Sequence, residues 1–433
     1  MLKEIELPLF ATVPKPLHRP GPRNADILSE IREFSDFGER SRELETRGSD
    51  GKLTVPTFVN EFWTAGQRAA DNLHEVSYRA CFKPQLPRFF IERLTSPDDV
   101  VYDPFMGRGT TLLEAALLGR APAGNDINPL SRMLIKPRLN PPSLQEVASR
   151  LGKIGFERSA ELKTSDLWEE LLVFYHVDTL REITILKNYL ARRADEGTLD
   201  SIDEWIRMVA INRLTGHSAG FFSVYTLPPN QAVSIKSQQK INADWKQEPP
   251  RRDLLKLILK KSRSLLADLS AETRETFQTL AGRSRLVNAP ASETSAIPSA
   301  IVSLVVTSPP FLDVVDYAGD NWLRCWFAGI DPKSVKLTVP KKLEDWQTEM
   351  TKVFRELQRV LKPGGHIAFE VGEVRRGAIK LEETVITCGA DAKLSPVFVL
   401  INQQEFTKTA NCWGVDNNSK GTNSNRIVLF RKN

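Results

Sequence analysis

The hydrophobic pattern of this chain alternates between short apolar runs and longer stretches with helical periodicity. The apolar runs have the length of buried strands and are bounded by turns or by amphipathic segments. Such an order of strand, helix and strand predicts an α/β fold built on a doubly wound sheet. The predicted strands lie at residues 99–103, 121–126, 285–289, 301–307, 365–371, 396–406 and 425–430.

The middle of the chain breaks this pattern, because its apolar residues recur mainly at helical spacing. We therefore predict one Rossmann-like sheet domain that is interrupted by a mainly helical insertion. The last two strand-like runs predict a C-terminal antiparallel hairpin. The predicted organisation is an N-terminal extension at 1–74, a first half of the sheet domain at 75–141, the insertion at 142–283, and the second half at 284–433.

Length and composition narrow the class of protein. At 433 residues the chain is long for one compact domain, so a core domain with a large insertion is expected. The four cysteines are scattered and form no C-x-x-C pair, which predicts neither a disulfide framework nor a zinc site. The five histidines occur singly, without the spacing of metal ligands. No apolar run reaches 18 residues, so we expect a cytoplasmic protein without a membrane span.

The stretch VVYDPFMGRGTTLLEA, residues 100–115, has the composition of a nucleotide-binding loop. A predicted strand ends at Asp103, Gly107 and Gly109 allow the backbone to approach a ligand closely, and a helix N-terminus follows. Asp126 ends the next strand, where an acid can hold ribose hydroxyls. A tight turn before a capped helix would also explain the glycines. A dinucleotide site is disfavoured, because the third glycine of G-x-G-x-x-G is missing.

The stretch SLVVTSPPFLDVV, residues 303–315, ends a buried strand on polar residues, two prolines and an aromatic ring. Ligands of open α/β sheets bind at the carboxyl ends of strands, so this segment is expected beside the glycine loop. Prolines donate no backbone hydrogen bond, which leaves carbonyls near Ser308 and Pro309 as acceptors, and Phe311 offers a flat apolar face. Such a site suits a planar group that carries an NH2. A strand-terminating turn with a core phenylalanine is the simpler structural alternative.

Together the two motifs resemble those of the S-adenosylmethionine-dependent DNA amino-methyltransferases. DPFMGRGTT is similar to the cofactor loop of that family, usually DPF-x-G-S-G-T-T, and TSPPF to its catalytic S/N/D-P-P-Y/F motif. FKPQLPRFFI resembles its cofactor-binding helix, NDINP the segment after its second strand, and RVLKPGGHIAFEVGE its later helix, turn and strand. The resemblance covers residues 75–140 and 284–433, and leaves the N-terminus and the insertion unmatched.

The resemblance implies that S-adenosylmethionine is the cofactor and assigns residues to its site. The cofactor-binding residues it implies are Lys83, Asp103, Pro104, Phe105, Gly107, Gly109, Thr110, Asp126 and Asn128. The catalytic residues it implies are Ser308, Pro309, Pro310 and Phe311. The chain departs from the family pattern at Arg108, where a small residue is usual, and near Asn288, where the acid that often contacts the adenine ring is missing.

The resemblance further implies direct methyl transfer to the exocyclic amine of a base flipped out of duplex DNA. Ser308 and the Pro309 carbonyl would accept hydrogen bonds from the amine, and Phe311 would stack on the ring. Serine before the two prolines is more usual in the enzymes that methylate cytosine N4, which favours cytosine over adenine N6. No cysteine follows a proline, which argues against methylation of a ring carbon. An RNA or tRNA amino-methyltransferase and an inactive nucleic-acid-binding homologue are the remaining alternatives.

The order of the motifs resembles enzymes in which the inserted segment recognises the target sequence. Residues 231–270 contain nine Lys or Arg against four acids, an excess equal to the net charge of +5 of the whole chain. This excess indicates contact with phosphates of double-stranded DNA, although a solvated helix face would have the same composition. A cognate restriction endonuclease is a further candidate partner. The candidate DNA-binding residues are Lys236, Lys240, Arg251, Arg252, Lys260 and Lys261.

Overall fold

A computed structural model describes most of the chain. It covers residues 27–64, 70–78, 81–226, 232–310, 317–331, 335, 340, 342–374, 379–403 and 424–433. The strands are β1 Arg42–Arg47, β2 Thr54–Asn60, β3 Val100–Asp103, β4 Ala121–Asn125, β5 Arg285–Val287, β6 Val302–Thr307, β7 Leu361–Val371, β8 Glu373–Val374, β9 Ile379–Lys380, β10 Ser395–Gln403 and β11 Ser424–Arg431. The catalytic candidate Phe311 lies outside the described residues.

The helices separate these strands along the chain in the manner of an α/β fold. They are α1 Ile27–Glu33, α2 Gln85–Leu94, α3 Thr110–Leu117, α4 Pro129–Ile135, α5 Leu144–Leu151, α6 Val177–Asp195, α7 Ser201–Arg213, α8 Ile235–Trp245, α9 Leu254–Leu265, α10 Ala271–Ala281, α11 Tyr317–Ala328, α12 Leu343–Val360 and α13 Leu381–Asp391. In the described part of residues 142–283, helices α5 to α10 follow one another without an intervening strand, as the helical periodicity predicts.

The described residues form one large sheet of nine strands in the order β1-β2-β10-β11-β7-β6-β3-β4-β5. Strands β7, β6, β3, β4 and β5 are parallel, so their carboxyl ends meet at the same edge. Strand β11 is antiparallel to both β7 and β10, which gives the predicted C-terminal antiparallel pair. The α/β fold class with a helical insertion is therefore confirmed. Residues 42–60 had given no strand prediction, and they add β1 and β2 beyond β10.

Apolar side chains project from both faces of the sheet, because successive residues of a strand point to opposite sides. On β6, Leu304 and Val306 pack with α1 and α2, whereas Val305 packs with α12 and α13. Both faces are covered by helices, as a parallel sheet requires. A third core joins the insertion to α3 and α4 beside the sheet edge. None of the described helices is long and apolar enough to cross a membrane.

Candidate active site

The glycine loop connects the end of β3 to the start of α3. Gly107 and Gly109 have φ angles of +48° and +78°, in the region that disfavours side chains. A Cβ on Gly109 would lie 2.5 Å from Ile135, so this glycine allows α3 and α4 to pack closely. Gly107 instead faces the cavity described below. The two glycines thus serve different purposes, and both retain the loop geometry that the sequence predicts.

Asp126, immediately after β4, holds this loop in place. Its Oδ2 accepts a hydrogen bond from the Gly107 amide at 2.9 Å, and its Oδ1 accepts one from the Asn128 amide at 2.8 Å. Asn128 in turn caps α4 by accepting from the Leu130 amide at 3.1 Å. Burial raises the pKa of Asp126, although both amides favour its charged form. The carboxylate therefore orders the backbone around the ligand cavity.

Asp103 connects the glycine loop to residues 307–310 of the TSPPF motif, which we name the catalytic segment after the role that the resemblance predicts for it. Its Oδ1 accepts hydrogen bonds from the Phe105 amide at 3.0 Å and from the Thr307 hydroxyl at 2.6 Å. The side chain is almost fully buried, and burial raises its pKa from 3.8 to about 7. The neighbouring Asp126 raises the pKa further. A buried acid of this kind favours a cationic ligand group.

The loop and the catalytic segment line one cavity of about 390 Å³. Its walls are largely apolar, and three acidic residues, Asp103, Asp126 and Glu349, are among those that line it. The predicted site residues that line the cavity are Asp103, Pro104, Phe105, Gly107, Thr110, Asp126, Asn128, Ser308 and Pro310. Lys83, Gly109 and Pro309 do not line it. Further lining residues include Tyr78, Met106, Ile127, Pro290, Ser292, Trp346, Glu349, Met350 and Val353.

Neither Arg108, which replaces the usual small residue of the loop, nor Lys83, which the resemblance assigns to the cofactor, lines the cavity. The Arg108 side chain is buried and donates to the Val76 carbonyl at 3.2 Å, to the Phe82 carbonyl at 3.4 Å, and to the Thr110 hydroxyl at 3.1 Å. It therefore ties the loop to the segment before α2 and leaves the loop conformation intact. Lys83 is half-buried, and burial lowers its pKa.

Two residues that the sequence did not suggest contact the catalytic segment. The Trp346 indole Nε1 donates to the Pro310 carbonyl at 3.0 Å, so this carbonyl is already engaged. Glu370 lies beside Ser308, because the parallel register pairs Thr307 with Phe369 one step earlier. It is buried, accepts from Asn425 Nδ2 at 2.9 Å, and has the Ser308 hydroxyl as its other hydrogen-bond partner. Burial raises the pKa of Glu370, and both contacts oppose that rise.

The six candidate DNA-binding residues of the insertion differ in exposure and in ion pairing. Lys236 and Lys240 on α8 and Lys260 on α9 are exposed. Arg251 is exposed but forms an ion pair with Glu182, and Lys261 is mostly buried in an ion pair with Glu75 at 2.9 Å. Arg252, the remaining candidate, is half-buried. The exposed group therefore has more charge available for a phosphate than the paired one.

The residues just before α8 contact α11, the first described helix after the catalytic segment. The Trp322 indole on α11 donates to the Val233 carbonyl at 3.2 Å, and α11 begins nine residues after Ser308. At the other end of α8, Trp245 is 59% exposed and stacks on Tyr225 with ring centroids 4.8 Å apart. In the loop at 216–225, by contrast, Phe222 is fully buried in the core. Among the described residues no cluster of His, Cys, Asp or Glu could hold a metal ion.

Comparisons with known proteins match part of the chain. Residues 38–164 match the protein family described as DNA methylase. The type II methyltransferase M.MvaI of Kocuria varians is 45% identical over 67 residues, 15% of each chain. The type II methyltransferase M.MjaII of Methanocaldococcus jannaschii is 34% identical over 70 residues, 16% of this chain and 13% of that protein. The matched segments thus span less than one sixth of either relative.

Solved structures also resemble the chain at low similarity. The rRNA methyltransferase aviRa of Streptomyces viridochromogenes shares 11% identity, with a TM-score of 0.33 over 86% of this chain and 94% of that one. A S-adenosylmethionine-dependent methyltransferase of Methanosarcina mazei shares 11% identity, with a TM-score of 0.29 over 78% and 94%. TM-scores in this range are too low to carry an argument about the chain.

Proposed function

We propose, from the premise that residues 38–164 belong to the S-adenosylmethionine-dependent DNA amino-methyltransferases, that this protein methylates the N4 amine of cytosine in DNA. One observation carries the proposal. The glycine loop and the TSPPF segment, separated by almost 200 residues of sequence, line the same cavity. A methyl donor and an acceptor base could therefore meet at one point. Holding the two reacting groups together in this way contributes strongly to the rate of a direct transfer.

The residues of the cavity fit S-adenosylmethionine, the cofactor of the family. The cofactor carries two positive groups, and the cavity offers the carboxyl groups of Asp103 and Asp126. Its adenine ring needs an apolar slot, and Phe105, Ile127 and Pro290 supply apolar surface. When bound, it supplies an electrophilic methyl group, whose bond to sulfur breaks with the electron pair returning to sulfur.

Ser308 is the residue that we assign to the acceptor amine. Ser308 lines the cavity, and its hydroxyl donates a hydrogen bond to Glu370. The lone pairs of the hydroxyl oxygen are then available to accept a hydrogen bond from the amine N–H. That hydrogen bond draws the nitrogen lone pair out of conjugation with the ring and aims it at the methyl carbon. The nitrogen then forms the new N–C bond and releases a proton. The resemblance adds the Pro309 carbonyl as a second acceptor and Phe311 as the stacking surface; of the described segment residues, Ser308 and Pro310 are the ones that line the cavity.

The choice of cytosine follows from Ser308, since serine at this position is more usual in the cytosine-N4 enzymes of the family. Both cytosine and adenine present an exocyclic amine beside a ring nitrogen, so adenine N6 is the alternative product. The insertion would bind the duplex, with the base flipped into the cavity. The exposed lysines of α8 support this role, because α8 begins against the helix that follows the catalytic segment. A restriction endonuclease that cuts the same sequence completes the proposed system.

Product analysis tests the proposal. Purified protein, S-adenosylmethionine and unmodified duplex DNA are incubated, and the DNA is digested to nucleosides and weighed by mass spectrometry. The expected product is N4-methylcytosine, and a Ser308→Ala variant serves as the negative control. N6-methyladenine as the only product would overturn the cytosine assignment. Methylation of tRNA but not of DNA would overturn the DNA assignment, and no methylated base from a cofactor-binding, DNA-binding protein would overturn the enzyme assignment.

A further inference from the structure

Trp346 lies between the catalytic segment and the wall of the cavity. It sits in the first turn of α12 and is fully buried in the core formed with Tyr102, Val305 and Phe354. Its indole also lines the cavity, as does Pro310. The side chain is therefore fixed by the core on one side and contacts the ligand space on the other.

The single donor of this indole is used on the catalytic segment. Nε1 donates to the Pro310 carbonyl at 3.0 Å, a normal hydrogen-bond length. A buried indole N–H left without an acceptor is costly, so the bond strongly favours one orientation of the Pro310 carbonyl. The two prolines fix their own φ angles, so holding the Pro310 carbonyl also restricts the direction in which the chain continues.

We propose that Trp346 is a positioning residue that keeps the Pro310 carbonyl turned away from the target base. The proposal rests on the proposed amino-methyltransferase function. With the Pro310 carbonyl engaged, the Ser308 hydroxyl is the acceptor of this segment that faces the cavity, and the peptide plane after Pro310 is held in one orientation. Neither effect requires Trp346 to touch the amine or the methyl group. The indole N–H, rather than the bulk of the ring, is the essential feature.

Trp205 provides a matched control for this idea. It too is fully buried and donates its indole N–H at 3.0 Å, in its case to the Ser262 hydroxyl within the helical insertion. Replacing either tryptophan by phenylalanine keeps an aromatic ring and removes one buried hydrogen bond. The two variants should therefore shift the midpoint of thermal unfolding in the same direction, and only Trp346→Phe should impair methyl transfer.

The test measures kcat, the KM for S-adenosylmethionine and the KM for duplex DNA, each for wild type, Trp346→Phe and Trp205→Phe. We expect Trp346→Phe to lower kcat by about 10–100-fold, because small misplacement of a reacting group has effects of that size. Its KM for S-adenosylmethionine should stay within about threefold of wild type, since the ring wall remains. Trp205→Phe should retain the wild-type kcat.

Three outcomes would overturn the inference. The first is a wild-type kcat for Trp346→Phe, and the second is a raised KM for S-adenosylmethionine with kcat unchanged, which would make Trp346 a wall of the cofactor site only. If Trp346→Phe does not fold, 3-benzothienylalanine at position 346 keeps the shape of the indole without the N–H, and a wild-type kcat there is the third. A wild-type chain that forms no methylated base would instead refute the proposed function, and this inference with it, before any variant is compared.

Discussion

The buried carboxyl group of Asp103 should make cofactor affinity depend on pH in a predictable direction. Its hydrogen-bond donors are neutral, namely the Phe105 amide and the Thr307 and Thr111 hydroxyls, and the nearby Asp126 is a second acid. Burial raises the pKa from 3.8 to about 7. The difference of about 3 units corresponds to about 4 kcal/mol for holding the charge in the empty protein at pH 8. A bound cation would recover part of this free energy.

The direction of this pH dependence follows from which protonation state of Asp103 binds the cofactor. A positively charged cofactor prefers the ionised Asp103, so protonation competes with binding below the pKa of about 7. Affinity should rise with pH up to about 7 and then level off, with at most a tenfold change per unit below that value. The free energy of unfolding should change with pH in the opposite direction. Because the folded pKa is raised, the neutral group favours the folded state, and the free energy of unfolding should fall between about pH 4 and pH 7.

Calorimetric titration of S-adenosylmethionine from pH 5.5 to 8 measures the effect. Wild type should bind about tenfold more weakly at pH 6 than at pH 8. Asp103→Asn should lose most of this dependence, while titration of the cofactor itself remains in both proteins. Repeating the series with S-adenosylhomocysteine, which lacks the sulfonium charge, separates the two cationic groups of the cofactor. An identical pH slope in wild type and Asp103→Asn would refute the assignment of Asp103 to the cofactor.

Three further predictions concern the rest of the site. Asp126→Ala should weaken S-adenosylmethionine binding by about 1–3 kcal/mol, because the loop loses a charged acceptor; unchanged affinity in calorimetry would remove Asp126 from the site. Ser308→Ala should lower kcat about 10–1000-fold with cofactor binding retained, and Glu370→Gln should lower kcat in wild type but add nothing to Ser308→Ala. Additive losses would mean that Glu370 does not act through the serine, and Glu382→Gln, another buried acid, is the control. Neutralising the three exposed lysines should reduce the salt dependence of DNA binding by about 2–3 in slope, more than neutralising the ion-paired residues, and anisotropy at several salt concentrations would reveal the opposite ranking. The exposed lysines are Lys236, Lys240 and Lys260, and the ion-paired residues are Arg251 and Lys261.

Several features of the fold could be read from the sequence because their causes are local. The apolar run of β6 is buried on both faces. The strand ends at Thr307, shortly before two prolines that lack the amide hydrogen needed for strand pairing. Gly107 and Gly109 adopt positive φ angles that few other residues tolerate. The family match to residues 38–164, which include the glycine loop, confirms the resemblance to the amino-methyltransferases, while the role of the TSPPF segment stays a prediction.

The strand β1 could not be read from the sequence in the same way. Its residues RELETR are almost all exposed, so the segment has no buried face and no alternation of apolar and polar positions. Strand structure there depends on pairing with β2, which itself pairs with β10, more than 300 residues away along the chain. Propensity and periodicity describe neighbours in sequence, and neither contains information about such a partner.

The sequence by itself therefore determined the alternation of strands and helices, the helical insertion, the conformation of the glycine loop and the types of residue at both ligand segments. Tertiary structure decided which of those residues meet. It brought Glu370 beside Ser308 through strand register, and it directed the Trp346 indole at the Pro310 carbonyl. It also paired Lys261 with Glu75, which no count of charges could distinguish from an exposed lysine. The physical reason is that hydrogen bonds and ion pairs act over a few ångströms in space, whatever the separation of their partners along the chain.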